Sequence, residues 1–424
     1  MSKYVIIGGS VGGIGAVEAI REFDPVGELT LISEEPFPQY SRPMISEYVS
    51  REATLETMKY RGDQFWKKNN VQALTGRTAV NIEFTKKQIE LDGGDKVDFE
   101  KLLIATGGRP FVPRMEGGEK DGVFTFTELS SAKGIESRLE KPQSAVVIGG
   151  GLIGISVTEA LVKRGIKVTL VELKNKILSL ILDEKASEIA EKVIREAGVT
   201  IITGQTVQRI LGRQDNKGAV GGAVMTNGRE IPCDLVIVAI GVIPRTELVK
   251  GTDVKVNRGI VVDRFMRTNI PDVYACGDVA EAYDFLSNGN RLLPLWPLAH
   301  VGGRVAGYNM AGKKAEYPGG TVMSSLKYFD LSIIAVGITN PEDNGDYEVL
   351  VNQHPAKDFY KKIMLKNDVI VGFIFLGDIE KSGILFHLMK NHVNVGEIKE
   401  RLLSEDFGLV TIPESVRKKM FVMN

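Results

Sequence analysis

Short runs of aliphatic and β-branched residues alternate with stretches of helical period along most of the chain. Tyr4 to Ile7 is the first such run; it stops at Gly8 and Gly9, and a helical stretch carrying Glu18 and Arg21 follows. Leu29 to Ile32 reads as the next strand. The same order returns in mid-chain: Ala145 to Ile148, a glycine cluster, a helical pattern through Leu161, then Lys167 to Val171. Three further strand candidates run into glycine: Leu102 to Ala105 before Thr106 and Gly107, Leu235 to Ile240 before Gly241, and Val273 to Ala275 before Cys276, Gly277 and Asp278. Alternation of this kind predicts α/β architecture with parallel sheets. Beyond Gly312 the pattern changes. Strands predicted at 332–336, 362–365 and 369–375 precede helices predicted over 385–390 and 395–403, which describes a smaller α+β domain.

Composition narrows the function classes. A chain of 424 residues calls for two or three domains. Apolar residues make up 43% and charged residues 25%, as in globular proteins. A net charge of -1 argues against a nucleic-acid binder. No uncharged apolar run approaches the roughly 18 residues of a membrane span. The early break at Gly8 and Gly9 argues against a targeting segment, so a soluble cytoplasmic protein is expected. Cys233 and Cys276 lie far apart and form no CxxC pair. They predict neither a disulfide framework nor an iron–sulfur cluster, which needs about four ligands. Any cluster must sit on another chain. His354, His387 and His392 have no ligand-like companions, and no metal site is expected.

The two glycine loops carry the chemistry. The second, Gly149-Gly150-Gly151-Leu152-Ile153-Gly154, follows a strand and opens a helix, and the next strand ends at Glu172. That acid falls close to the spacing of about 20 residues at which a carboxylate meets an adenosine ribose. A carboxylate there favours NAD over NADP, whose 2′-phosphate it repels, although Lys174 and Lys176 stand nearby. The first loop, Gly8-Gly9-Ser10-Val11-Gly12-Gly13, has Ser10 at the second glycine position, and its following strand leads into Glu34 and Glu35. Both loops place helix N-termini, with their free N–H groups, where a pyrophosphate would bind.

Further motifs complete the order: Tyr40-Ser41-Arg42-Pro43, Ala105-Thr106-Gly107-Gly108, Ala239-Ile240-Gly241-Val242-Ile243-Pro244, Tyr274-Ala275-Cys276-Gly277-Asp278, Leu295-Trp296-Pro297, Gly303-Arg304-Val305-Ala306-Gly307, and the segment from Gly372 to Gly377. In this sequence they resemble the FAD-dependent pyridine nucleotide–disulfide oxidoreductase superfamily, most of all its NADH:rubredoxin and ferredoxin reductase-like branch. The resemblance covers nearly the whole chain. It implies two Rossmann-like dinucleotide-binding domains, for FAD and NAD, and a C-terminal α+β interface domain. The corresponding boundaries are 1–115 with 245–315 for FAD, 116–244 for NAD(P), and 316–424 for the interface domain.

By the same resemblance Gly8, Ser10, Gly13, Glu34, Glu35, Thr106, Gly107 and Gly277 belong to the FAD site. Asp278 would bond the ribityl chain, Arg42 and Pro43 would line the flavin and phosphate region, and Val80 would lie near the adenine. Trp296 would pack against the cofactor, and Ala299 would start a helix aimed at the flavin's pyrimidine edge. Gly149, Gly151, Ile153, Gly154, Glu172 and Gly241 would serve NAD(H), with Ile153 marking where the nicotinamide stacks on the flavin. His300 is expected to be a helix-start histidine packed near the ring, with proton delivery as the alternative.

Two departures stand out. Pro43 occupies the slot of the redox cysteine, which excludes a disulfide or sulfenic-acid relay. Glu47 and Ser156 replace the lysine and glutamate that form an ion pair beside the flavin in ferredoxin-reductase relatives. Glu159 could compensate, although a supporting helix acid is the simpler reading.

The resemblance therefore implies an FAD-dependent NADH:acceptor oxidoreductase with no catalytic side chain, since the flavin carries the chemistry. The implied acceptor is a rubredoxin- or ferredoxin-like iron–sulfur protein, or an iron–sulfur subunit of a larger oxidoreductase. Alternatives are a cysteine-independent, peroxide-forming NADH oxidase and a redox-sensing or assembly flavoprotein. A homodimer or a hetero-oligomeric subunit is expected. The lysine pairs Lys67-Lys68 and Lys361-Lys362 are either solvated faces or landing points for an acidic partner.

Overall fold

The computed structural model describes residues 2–140, 144–341, 345–354 and 358–420. The chain separates into two compact units, residues 1–109 with 242–321 and residues 110–241 with 322–424.

The first unit is built on a seven-stranded sheet. Its centre, Ser2–Ile7, pairs in parallel with Leu29–Ser33 on one side and Lys96–Ile104 on the other. Val273–Ala275 adds to Lys96–Ile104, so a strand from late in the sequence completes the sheet. These strands are uniformly aliphatic because helices and loops leave almost no water on either face: Val5, Ile6, Leu31, Leu102 and Leu103 are fully buried. The helix Val11–Phe23 lies against the helix Trp296–Met310 along a seam of small residues. A Cβ on Gly303 would fall 2.0 Å from the Gly12 carbonyl oxygen, and one on Gly307 2.5 Å from that of Ala16. Only glycine lets the two backbones come so close.

The second unit repeats the plan with a five-stranded parallel sheet centred on Ser144–Ile148, flanked by Lys167–Glu172 and Leu235–Val238. It also holds a five-stranded antiparallel sheet from the C-terminal region, with the helix Ser382–Lys390 against it. The α/β class with an added C-terminal α+β part is as expected from the hydrophobic pattern. The helix predicted over 395–403 is absent; only a short 3₁₀ turn, Lys399–Arg401, forms there. The amides there bond three residues back, Ile398 N–H to the Val395 carbonyl at 2.9 Å and Arg401 N–H to the Ile398 carbonyl at 2.9 Å, the tighter 3₁₀ pattern in place of an α-helix.

Lys361 and Lys362 are not a solvated face. Lys361 is buried and bonds Asp378 at 2.6 Å. Lys362 reaches Asp183 at 2.9 Å, where Tyr360 also donates at 2.8 Å and the Ala186 amide is capped at 3.0 Å. Asp183 thereby caps the helix Glu184–Glu196 and holds the C-terminal sheet with one carboxylate. Among the described residues no helix is long and apolar enough to cross a membrane, and no group of three or more His, Cys, Asp or Glu could hold a metal ion.

Burial alone would raise the Asp183 carboxyl, but Lys362, the Ala186 amide and Tyr360 outweigh it and hold the pKa below the ordinary carboxylate value. A depressed native pKa means this stabilisation is present above the unfolded value of about 4. It is lost as pH falls through the native pKa. Asp183→Asn is therefore expected to cost about 2 kcal/mol near neutral pH, chiefly by leaving Lys362 with the Thr339 carbonyl, at 3.1 Å, but no opposite charge. Urea titrations of both proteins from pH 7 downward should show the gap closing only in acid.

Candidate functional site

Each unit presents a strand–glycine–helix junction, and the two are built alike. In the second unit, Gly149 N–H bonds the Val171 carbonyl at 2.8 Å, carrying the chain off its sheet. Gly149 has φ +108°, and a Cβ there would meet the Ala239 carbonyl oxygen at 2.4 Å. A Cβ on Gly154 would lie 1.8 Å from the Gly149 carbonyl oxygen, so the helix Leu152–Lys163 can begin this close to its strand only with glycine. Gly8 and Gly13 stand in the same relation in the first unit, with a contact of 2.0 Å.

Gly151 and Ser10 occupy equivalent places, and neither needs a special backbone. Gly151 caps its helix at φ −83°, ψ −173° and Ser10 at φ −88°, ψ −167°, extended geometry open to any residue. A Cβ on Gly151 would meet no protein atom within 4 Å. Glycine there is demanded by neither conformation nor packing. The vacant space beside free helix N–H groups is what close approach of a pyrophosphate requires.

Glu172 is the last residue of its strand, as the spacing predicted. One carboxylate oxygen accepts from Gly150 N–H at 2.5 Å and the other from Lys174 N–H at 2.7 Å. Each oxygen keeps a second lone pair for a ligand hydroxyl. Lys176 is drawn away to Glu184, 3.4 Å distant, while Lys174 is exposed. Ile153 is half-exposed in the first helical turn, and Gly241 has φ +122° and accepts from Phe111 N–H at 2.9 Å.

In the first unit the acids predicted for the ribose both have cationic partners. Glu34 is ion-paired with Arg245; Glu35 bonds Arg42 at 2.5 Å and the Tyr40 hydroxyl at 2.7 Å. Arg42 and Pro43 lie in a short 3₁₀ turn, Arg42–Met44. Thr106 donates to the Arg245 carbonyl at 2.9 Å, and Arg245 N–H bonds the Gly107 carbonyl at 3.0 Å. Arg245 thus ties the Thr106-Gly107 loop to the first acid, a role the sequence pattern did not flag. Val80 is 52% exposed at a β-bulge between Ala79 and Asn81, an apolar side chain offered to solvent.

Gly277 (φ +74°) opens the turn Gly277–Val279 against the start of the helix Trp296–Met310; a Cβ on Gly277 would touch the Ala299 methyl at 3.5 Å. Asp278 follows. Burial pushes its carboxyl above the ordinary range, and the Arg42 charge only partly offsets this. None of its side-chain hydrogen bonds is made to protein among the described residues. The side chain is only part-buried, so its oxygens are open to water or to a ligand.

Trp296 meets Tyr60 edge-on at 5.4 Å, Tyr60 in turn faces His300 at 6.5 Å, and Arg61 lies over Tyr60 at 4.0 Å. Tyr60 and Arg61 sit in a segment without periodicity, which is why pattern reading passed over them. Burial lowers the His300 pKa, leaving a neutral imidazole near pH 7.

Both cysteines are buried and free, and burial pushes each thiol up to about 12. Cys276 fills the space between the two helices of the first unit, 3.0 Å from where a Gly12 Cβ would be. Neither thiol can form a thiolate readily. Glu47 accepts from the Ser46 hydroxyl at 2.7 Å, and Glu159 accepts from Phe329 N–H at 3.0 Å, so Glu159 is a supporting acid.

The glycine junctions, the open place at Gly151 and the part-exposed Asp278 fit two bound dinucleotides. Known proteins are similar to the chain in sequence and in shape. The ε subunit of the NADH-dependent phenylglyoxylate dehydrogenase of Aromatoleum evansii is 28% identical over 412 residues, 96% of each chain. The nitrite reductase [NAD(P)H] of Bacillus subtilis (strain 168) is 27% identical over 93% of this chain, which spans only 48% of that protein. The crystal structure of a covalent putidaredoxin reductase–putidaredoxin complex matches with TM-score 0.85 and 25% identity, covering 93% of this chain and 94% of the other. The rubredoxin NAD+ reductase C-terminal domain model matches residues 323–393. With residues 2–306 matched by the pyridine nucleotide-disulphide oxidoreductase model, the chain belongs to that family.

Proposed function

We propose that this chain is an FAD-dependent NADH:acceptor oxidoreductase that exchanges hydride with NAD(H) and passes electrons to an external iron–sulfur protein or subunit. The observation that carries the reading is the doubled strand–glycine–helix junction, one in each compact unit, with an open Gly151 and a strand-end Glu172 in the second. Bound FAD supplies both two-electron acceptance from a nicotinamide and release to a one-electron carrier. The chain's residues bind, orient and tune.

Gly8, Ser10 and Gly13 let the FAD pyrophosphate approach the first helix. Glu34 or Glu35 receives the ribose, and Val80 covers the adenine. Asp278 takes the ribityl hydroxyls, and the donors it lacks in the protein are the reason for this assignment. Arg42, Pro43, Thr106, Gly107, Gly277, Trp296 and Ala299 shape the remaining walls. In the second unit Gly149, Gly151 and Gly154 hold the NAD(H) pyrophosphate, Glu172 the ribose, and Ile153 and Gly241 the nicotinamide half. The negative charge of Glu172 disfavours a 2′-phosphate, so NADP is the poorer ligand.

Both cysteines are buried and free and burial raises each thiol, which speaks against a thiol relay in the chain and favours an external acceptor. The names of the relatives support an iron–sulfur carrier: a rubredoxin reductase domain, a putidaredoxin reductase joined to its carrier, and a subunit of an NADH-dependent dehydrogenase. The proposed division is 1–115 with 245–315 for FAD, 116–244 for NAD and 316–424 for assembly. The proposed setting is a cytoplasmic homodimer or a subunit of a larger complex.

Two measurements test this reading. Anaerobic stopped-flow mixing with NADH should bleach the flavin faster than NADPH does, with reoxidation fast on adding a ferredoxin or rubredoxin and slow in air. Fast reoxidation by air alone would identify an oxidase instead. Gly151→Ala should leave unfolding stability within about 0.5 kcal/mol, since no protein atom is met. It should weaken NAD+ binding by at least about tenfold, about 1.4 kcal/mol. Unchanged NAD+ affinity would remove the pyrophosphate from this loop.

A further inference from the structure

The C-terminal sheet begins with a hairpin, Met323–Tyr328 paired with Leu331–Gly337. Tyr328 pairs with Leu331, leaving Phe329 and Asp330 as a two-residue loop. Both loop residues are left-handed, with φ +48° at Phe329 and +65° at Asp330. Such a turn normally carries Asn or Asp followed by Gly, because a Cβ in this region is strained. A bulky aromatic at the first position persists only where the surroundings fix it.

What fixes it is the helix of the second glycine loop, in the same compact unit. The Tyr328 hydroxyl donates to the Leu152 carbonyl at 3.1 Å, and Phe329 N–H donates to the Glu159 side chain at 3.0 Å. Leu152 is the first residue of the helix Leu152–Lys163, directly after the Gly151 cap. Leu152 and Glu159 are seven residues apart and so lie on one face, two turns from each other. Glu159 is only 16% exposed and is steadied from below by Lys163 at 3.4 Å. The hairpin tip thus grips the helix at two points, one of them at the turn whose amides stand beside the open space at Gly151.

We propose that Tyr328 and Glu159 are positioning residues for the pyridine-nucleotide loop: through the strained hairpin tip they fix where the first-turn amides of the helix stand when a dinucleotide pyrophosphate arrives. The inference rests on the assignment of NAD(H) to this loop. It gives the C-terminal domain a part in nucleotide binding, which its sequence alone does not suggest. Neither residue touches the reacting atoms, so their effect is on binding and not on the hydride step.

The test uses the FAD-loaded full chain and three variants: Tyr328→Phe, which removes only the hydroxyl; Glu159→Ala, which removes the acceptor; and Glu159→Gln, which keeps an accepting oxygen. Calorimetric titration with NAD+ gives affinity without turnover, flavin reduction by NADH gives KM and kcat separately, and thermal melting reports the fold. Tyr328→Phe and Glu159→Ala should raise the NAD+ dissociation constant and the NADH KM about fivefold to tenfold, the loss of one hydrogen bond's positioning. kcat should stay within about twofold, and the melting temperature within about 2 °C. Glu159→Gln should bind close to wild type. The proposal is overturned if NAD+ affinity is unchanged in both disruptive variants, or if affinity falls only in step with melting temperature and Glu159→Gln fails like Glu159→Ala. Wild-type protein that does not bind NAD+ would overturn the functional reading itself, a result distinct from wild-type binding with silent variants.

Discussion

Everything in this molecule that bears on function depends on how closely a helix can begin beside the strand that feeds it. The Gly149 carbonyl stands 1.8 Å from where a Gly154 Cβ would be, and the Gly8 carbonyl 2.0 Å from that of Gly13. These contacts hold each helix axis against its sheet so that the free N–H groups point into the space above the strand ends. Larger residues would displace the helix by more than the tolerance of a hydrogen bond. The constraint acts twice, once in each compact unit, and the rest of each unit serves to keep it satisfied. In the first unit a second glycine seam, at Gly303 and Gly307, brings the helix Trp296–Met310 close enough for its start to reach Gly277. In the second, Glu172 accepts from one amide of the loop, Gly150 N–H, and from Lys174 N–H just beyond its own strand, which ties the loop to the strand end.

Much of this was legible in the sequence because glycine spacing and strand periodicity are local signals. The two parallel-sheet units, the strand-end position of Glu172 and the lack of a usable thiol all follow from runs of a few residues. What was not legible depends on partners far apart in the chain. Arg245 reaches Glu34 across 211 positions, and Asp183 gathers Tyr360 and Lys362 from 177 and 179 positions away. Lys361 and Lys362 read as a charged face because composition cannot show that a lysine's partner lies beneath it. The helix over 395–403 failed for a local reason: its residues have helical period, but their amides bond three residues back, in 3₁₀ fashion.

The chemistry is left to bound groups, and the side chains reflect that division. Burial raises both thiols and lowers the His300 imidazole, and the part-buried Asp278, raised by the same cause, makes none of its side-chain hydrogen bonds to protein among the described residues. A site designed for nucleophilic or acid–base work would instead pair such groups with one another.

The measurement that tests the account most directly is hydrogen–deuterium exchange of the FAD-loaded chain with and without NAD+. If the two junctions hold different dinucleotides, NAD+ should slow exchange at residues 149–154 and around Glu172. Residues 8–13, already covered by FAD, should be unaffected. Protection appearing at residues 8–13 with none at 149–154 would contradict the assignment of the two loops on which the account stands.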